Sequence, residues 1–273
     1  RTPHAGETPA PRLMLIDTNI HLGRWPFRRL ALDETPALVA KLKQFGVTQA
    51  WAGSYDALLH RDVTSVNERL VRECDKRGEG ILIPFGTVNP ALPDWEGDLR
   101  RCAVEYQMKG IRLYPNYHGY LLDDERGHAL LKMATEAGLL IQIAVMMEDE
   151  RTQHPLIRLP HVSATPLLDF ARKHTGCRIQ LLNSFRGVRT PLAVQLAATG
   201  RVFFETSTLE GVAGIENLLK LLPEKHLLFG TGAPFYIFES AILKMRESRL
   251  KKSEFDAIAG RNAISVLRMS KRQ

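Results

Sequence analysis

Short apolar runs alternate with longer stretches whose apolar positions recur every three or four residues, and this rhythm governs most of the 273-residue chain. The runs are Leu13–Asn19, Val47–Ala52, Ile81–Val88, Gly110–Tyr114, Leu139–Val145, Arg178–Asn183, Val202–Thr206 and Leu227–Gly230. They are rich in Ile, Val, Leu and Phe and show no consistently polar face, which predicts strands covered on both sides. Between them, Asp62–Arg77, Asp94–Tyr106 and Asp124–Ala137 carry helical periodicity. Thr35-Pro36 and Thr165-Pro166 set a capping hydroxyl before a proline that starts a helix well. Gly46, Gly138 and Gly176 stand where helices end and positive φ is tolerated. About eight strand-then-helix units in ~250 residues is the size of a closed (β/α)8 TIM barrel, a single α/β domain. An open doubly wound sheet needs a Gly-rich phosphate turn after its first strand, and Asp17–Arg24 contains none. The barrel is expected over residues 13–273, after a Pro-, Thr- and Gly-rich leader over residues 1–12 that lacks any periodicity.

Composition narrows the partners. With 44% hydrophobic and 25% charged residues the chain can bury a full core. Its charge of +7 is spread over predicted helix exteriors, without the basic and aromatic interleaving of nucleic-acid binders. No nucleic-acid partner is expected, although the field favours small anions. No apolar run approaches the ~20 residues of a bilayer span, so no membrane partner is expected either. Cys74, Cys102 and Cys177 lack CxxC spacing, which argues against a disulfide framework or a zinc knuckle and points to a reducing compartment. Cytoplasmic location is the default; export with a removed signal stays open, as does homo-oligomerisation.

Chemistry on a barrel gathers at the C-terminal ends of the strands. Polar residues stand at nearly every predicted exit: Asp17, Asn19 and His21, then Trp25; Asn89; Arg112, Tyr114 and His118; Gln142, then Glu148, Arg151 and His154; Asn183; Glu205; and the Gly230-Thr231-Gly232 turn. Packing alone gives no reason for so many.

The order of these segments resembles the amidohydrolase superfamily, in particular its amidohydrolase-2 group of metal-dependent barrel hydrolases and decarboxylases. The resemblance runs from about Leu13 to Leu267. It rests on Ile16-Asp17-x-x-x-His21-Leu22-Gly23, Gly110-Ile111-Arg112-Leu113-Tyr114-Pro115, Phe229-Gly230-Thr231-x-Ala233-Pro234 and the closing Ile258–Ala263 segment. It implies an opening His-x-His, where this chain has Asn19-Ile20-His21. It implies metal-binding histidines at strands five and six, where Gln142 with Ala144 and Asn183 stand. It implies a proton-accepting aspartate at the position of Gly232. Of the implied ligands only His21 is kept. Neutral, hard amide oxygens suit a divalent transition metal poorly, so no tightly bound zinc and no other cofactor is expected; a weakly held divalent ion stays open.

Each candidate has a structural reading beside its functional one. His21 is a base or hydrogen-bond donor, or a satisfied buried histidine. Arg112, inside an apolar strand, meets a substrate carboxylate or pairs internally with Asp17 or Glu205. Glu205 is the best-placed carboxylate to act as base. Trp25 plugs the rim in preference to forming a stacking platform. Tyr114 and His118 line a pocket wall or pack on one another. Glu148, Asp149 and His154 form a solvated loop, or supply a relocated base or ligands for a hard cation. Three functions follow: a hydrolase of small anionic lactones or esters without tightly bound zinc, a catalytically silent barrel that binds a ligand or partner, and a metal enzyme with a rebuilt ligand set. The variety of strand-end polar groups favours an enzyme.

Overall fold

A computed structural model describes residues 14–269; the expected leader over residues 1–12 lies outside them. Eight strands follow in chain order: β1 (Leu15–Leu22), β2 (Val47–Ser54), β3 (Leu82–Pro84), β4 (Gly110–Leu113), β5 (Leu140–Ala144), β6 (Ile179–Leu182), β7 (Val202–Glu205) and β8 (Leu227–Leu228). All neighbouring strands pair in parallel. Regular pairing runs β1-β2-β3 and β4 through β8. The two arcs join through bridges from Gly86 to Ile111 and from Ile20 to Ala233. Backbone bonds Arg112 N to Gly86 O (2.7 Å) and His21 N to Ala233 O (2.9 Å) complete the closure. The expected TIM barrel is the observed fold.

Strand three is the shortest departure from expectation. Only Leu82–Pro84 pairs regularly, because Pro84 has no N–H to give the ladder. The helical periodicities become Val63–Arg77, capped by Asp62, and Glu125–Glu136, capped by Asp124. Thr35 and Thr165 cap nothing: neither helix start carries a side-chain cap bond. The prolines alone set those starts.

Period-two alternation sorts the strand side chains. Ile111, Leu113, Ile141, Ile143, Ile179, Leu181, Val202 and Phe204 face outward into the large core shared with the helices. Inside, Ile16, Trp51, Phe85, Leu140, Phe203 and Leu228 pack against Ala263 and Val266 of the C-terminal helix and close one end. Above that apolar floor the interior turns polar. Arg112 Nε donates to Gln142 Oε1 (2.8 Å), Gln142 Nε2 to Gln180 Oε1 (2.8 Å), and Gln180 Nε2 to Thr18 Oγ1 (2.7 Å). This belt crosses four strands and supports everything at the mouth. The three cysteines are buried and unpaired.

Candidate functional site

At the strand exits the chain brings Asp17, Asn19, His21, Arg112, Tyr114, Gln142, Asn183, Glu205 and Gly232 to one end of the barrel. Asp17, Asn19, Arg112, Gln142 and Glu205 are fully enclosed.

Glu205 is the hub of one half. Its Oε1 accepts from Asn183 N (2.6 Å), Ser207 Oγ (2.7 Å) and Asn19 Nδ2 (3.3 Å). Its Oε2 accepts from Ser207 N (2.5 Å). Asn183 Oδ1 in turn accepts from Asn19 Nδ2 at 2.8 Å and lies 2.8 Å from Ser207 Oγ, whose single proton can point to either Asn183 or Glu205. These bonds satisfy a carboxylate that burial would otherwise penalise. Behind the β7 exit, Lys244 Nζ donates to Thr206 O (2.6 Å) and Ser207 O (3.2 Å).

Arg112 anchors the other half, with partners that differ from those expected. It meets neither Asp17 nor Glu205. Its guanidinium donates to Ile20 O (2.6 Å), Trp51 O (3.0 Å) and Gln142 Oε1. It also approaches His21 Nε2 (3.2 Å). Backbone carbonyls, fixed by the barrel, replace the carboxylate as counter-dipoles, so the head group is not held out for a substrate. Gly53 makes room for it: a Cβ there would stand 2.8 Å from Arg112 Cδ.

His21 sits between this cation and two phenols. Its Nε2 lies 3.1 Å from the Tyr114 hydroxyl, and its ring stacks on Tyr55 at 5.0 Å and 4°. Burial, reinforced by the Arg112 charge, drops its pKa well below that of a free histidine. The imidazole is therefore neutral across the physiological range. Tyr114 is pushed up to about 12 by burial and stays a phenol.

Asp17 accepts from Thr231 Oγ1 (2.6 Å), Thr231 N (3.1 Å) and Asn19 N (3.1 Å). Burial outweighs those bonds and lifts its pKa from 3.8 to about 7, with the Glu205 charge adding to the rise. The folded state thus holds this proton more tightly than the unfolded chain. That contribution to stability is fully present below pH ~4 and is lost as the pH climbs towards about 7, with a slope of up to ~1.4 kcal/mol per pH unit. Asp17→Asn is expected to lack this term. Urea unfolding from pH 4 to pH 8 should show wild type losing stability relative to the variant; parallel profiles would refute the assignment.

Above these polar groups lies an aromatic plug. Trp25 packs edge-on against Phe27 (5.3 Å), Tyr55 (5.6 Å), Tyr117 (6.4 Å) and Phe235 (4.8 Å). The β5 loop is latched over it. Glu148 pairs with Arg28 (2.6 Å), and Asp149 with Arg151 (2.6 Å) and Arg186 (2.5 Å). Arg186 also pairs with Glu210 of the β7 loop. The Arg151 and Arg186 hydrogen bonds hold the Asp149 carboxyl far below the usual range.

Several expected site residues do other work. Asn89 Oδ1 accepts from Ala91 N in a local turn. His118 Nε2 donates to Ala57 O (2.9 Å) and, buried, is lowered to about 4. Arg151 lies on the surface, its side chain 81% exposed. His154 stacks on Phe27 at 5.3 Å. The rebuilt cation site from Glu148, Asp149 and His154 is not formed, because arginines neutralise both carboxylates and the imidazole packs on a ring. Conversely, Tyr55, Ser207, Tyr236, Arg28 and Arg186 carry the site and escaped the sequence reading. Ser207 and Arg28 lie two and three residues past the candidates Glu205 and Trp25; nothing local marked Tyr55 or Tyr236.

Gly232 shows why the missing aspartate is not simply restorable. It has φ +68, and a Cβ would lie 2.4 Å from the Tyr236 ring and 3.2 Å from Ser207 Cβ. Gly232→Asp is expected to cost about 2–4 kcal/mol, from left-handed backbone strain plus overpacking. Chemical denaturation checks this, and Gly232→Asp/Tyr236→Ala should recover part of the loss. Wild-type stability in the single variant would mean the tyrosine moves freely.

The amidohydrolase family model matches residues 16–269. The chain belongs to the amidohydrolase family. Membership in a family of enzymes bears out the preference for an enzyme over a silent barrel. No curated protein matches this amidohydrolase by sequence. Among solved structures, a dihydroxybenzoic acid decarboxylase from Polaromonas, with manganese and 2-nitroresorcinol, aligns at TM-score 0.74 and 13% identity, covering 93% of this chain and 96% of its own. A 5-carboxyvanillate decarboxylase from Novosphingobium aromaticivorans, with manganese and 4-hydroxy-3-methoxy-5-nitrobenzoic acid, aligns at 0.71 and 14%, covering 94% and 96%. A 4-oxalomesaconate hydratase from Rhodopseudomonas palustris aligns at 0.61 and 16%, covering 93% and 95%.

These barrels correct the expectation of no metal cofactor, since two of them contain manganese. That expectation held amide oxygens to be poor ligands for any divalent transition metal, whereas manganese accepts carboxylate, carbonyl and water oxygens. The reading of a lost metal site is likewise not carried forward. As arranged, the residues of this amidohydrolase do not fit the ion. Among the described residues no three His, Cys, Asp or Glu side chains gather as a ligand group, and the Arg112 cation stands against His21. Among the described residues no helix is long and apolar enough to cross a membrane.

Proposed function

We propose that this amidohydrolase acts by proton transfer on a small carboxylate-bearing molecule held at the barrel mouth. The observation that carries the reading is the Glu205–Ser207–Asn183 unit. Glu205 is fully covered whereas Ser207 is half-buried, and the serine hydroxyl donates to the carboxylate at 2.7 Å. A proton leaving the substrate or an attacking water moves to Ser207 Oγ as the serine's own proton moves to Glu205; the reverse delivers a proton. Asn19 and Asn183 fix the carboxylate's position. Neutral His21, carrying no charge of its own, supplies a hydrogen bond at the mouth. Such positioned proton transfer contributes about 10²–10⁴ in rate.

The substrate class rests on charge and shape. The chain's +7 balance favours an anion. Aromatic walls suit a flat one, and the decarboxylases of the same fold act on aromatic carboxylates or hold their nitro analogues. Hydrolysis of a carboxylated lactone or ester uses the same relay in the accepting direction.

A panel of aromatic carboxylates, lactones and aryl esters tests this, with carbon dioxide release and ester cleavage measured separately, with and without added manganese. Turnover of a carboxylated substrate that depends on Glu205 supports the reading. Absence of turnover across the panel under both conditions would remove it and return the silent-barrel reading.

A further inference from the structure

Burying a donor without an acceptor forfeits its hydration with nothing in return, so unpaired donors in a folded interior call for a reason. At the strand exits the Ser184 hydroxyl and the acceptor Asn19 Oδ1 are unpaired among the described residues, and three further unpaired donors there are aromatic. Trp25 Nε1, Tyr55 OH and Tyr236 OH are buried and have no hydrogen-bond partner among the described residues. They come from the exits of three different strands, β1, β2 and β8. Their supports interlock: Tyr55 packs on Trp25 at 5.6 Å and on Phe235 at 5.0 Å, and Tyr236 follows Phe235 in the chain. The Tyr236 ring occupies the room above Gly232, beside Ser207.

We propose that Trp25 Nε1, Tyr55 OH and Tyr236 OH form a three-donor receptor for the carboxylate of the substrate, placing it next to the Glu205–Ser207 relay. This rests on the function proposed above and names the groups that recognise its substrate. The chemistry of the trio selects the ligand. An indole N–H only donates. Both phenols are raised by burial, and Tyr55 and Tyr236 both feel the Glu148 charge, so they keep their protons. Three aromatic donors that no protein acceptor satisfies match a group that only accepts. A carboxylate has two oxygens and ample lone pairs for the three bonds. Arg28 pairs with Glu148 at 2.6 Å, and Arg186 with Asp149 and Glu210, which offsets three of the carboxylates near an incoming anion.

A receptor kept open for a ligand leaves a signature that a structural hydrogen bond does not. Removing the hydroxyl by Tyr55→Phe or Tyr236→Phe deletes an unsatisfied group while keeping the ring. Each variant is therefore expected to be as stable as wild type or more so in urea. Titration calorimetry with sodium benzoate and with 4-hydroxy-3-methoxy-5-nitrobenzoic acid should show affinity falling about tenfold for each variant, and further for the pair. Unchanged affinity, a loss of stability in either variant, or no saturable binding of either probe to wild type overturns the assignment. Turnover that persists undiminished in both variants also overturns it, while leaving the proposed function standing. Probe binding that weakens as expected, without turnover in wild type, supports the receptor and removes the proton-transfer reading instead.

Discussion

Glu205→Gln is expected to lower kcat/KM on a carboxylated substrate by about 10²–10⁴, and to lower stability as well. The two effects have separate causes. Amide nitrogen cannot accept, yet both carboxylate oxygens face donors: Asn183 N and Ser207 Oγ on one, Ser207 N on the other. Either orientation of glutamine sets a donor against a donor, at about 1–3 kcal/mol. Ser207→Ala separates the terms. It keeps the carboxylate and its backbone bonds but removes the relay, so activity should fall with little change in the unfolding midpoint. Full activity in Ser207→Ala would show that the proton does not pass through the hydroxyl. Full activity in a folded Glu205→Gln would remove the carboxylate from the chemistry altogether.

The largest expected loss of stability belongs to Arg112→Ala. The side chain is wholly enclosed and ties four strands together: β1 through Ile20 O, β2 through Trp51 O, β5 through Gln142 and its own β4. Truncation strands these acceptors in the interior and leaves a void. A loss of about 3–5 kcal/mol is expected. Arg112→Lys should recover only a minor part, because an ammonium cannot reproduce a planar fork serving three directions. Denaturant unfolding monitored by tryptophan fluorescence reads the effect directly, since Trp51 accepts one of the bonds. A loss below about 1 kcal/mol in Arg112→Ala, the size of one ordinary hydrogen bond, would show that the belt is not held by the guanidinium. His21 should respond in step: without the neighbouring cation, part of the depression of its pKa is removed, and its ring resonances should titrate closer to the ordinary histidine range.

How much of this the chain announces can be followed through particular residues. Arg112, Gln142 and Glu205 stand out as polar residues in apolar runs, and period-two alternation turns all three inward. Asn19, His21 and Asn183 were legible as strand-exit residues once the barrel was recognised. Arg112's choice of partners was not, because carbonyls at positions 20 and 51 carry no side-chain signature. Asn89 and His118 sat at strand exits too, and turned aside into local bonds that only their loop geometry dictates. The metal expectation failed for a different reason. It inferred the absence of an ion from a tally of side-chain types, and that tally counted neutral oxygen donors as poor ligands for every divalent transition metal.

By itself, the order of apolar and polar residues determined the strands, most helix limits, the closed barrel and the end at which chemistry gathers. These depend on periods of two and of about 3.6 residues, which any short window of the chain displays. Tertiary structure alone decided that Tyr236 fills the space over Gly232, that Thr231 holds Asp17 across 214 positions, and that Asn19 reaches Glu205 across 186. Those meetings follow from where barrel closure places each strand exit. Contacts between residues so far apart leave no trace in local pattern, and the three unpaired aromatic donors at the mouth emerge only when three separate loops are folded against one another.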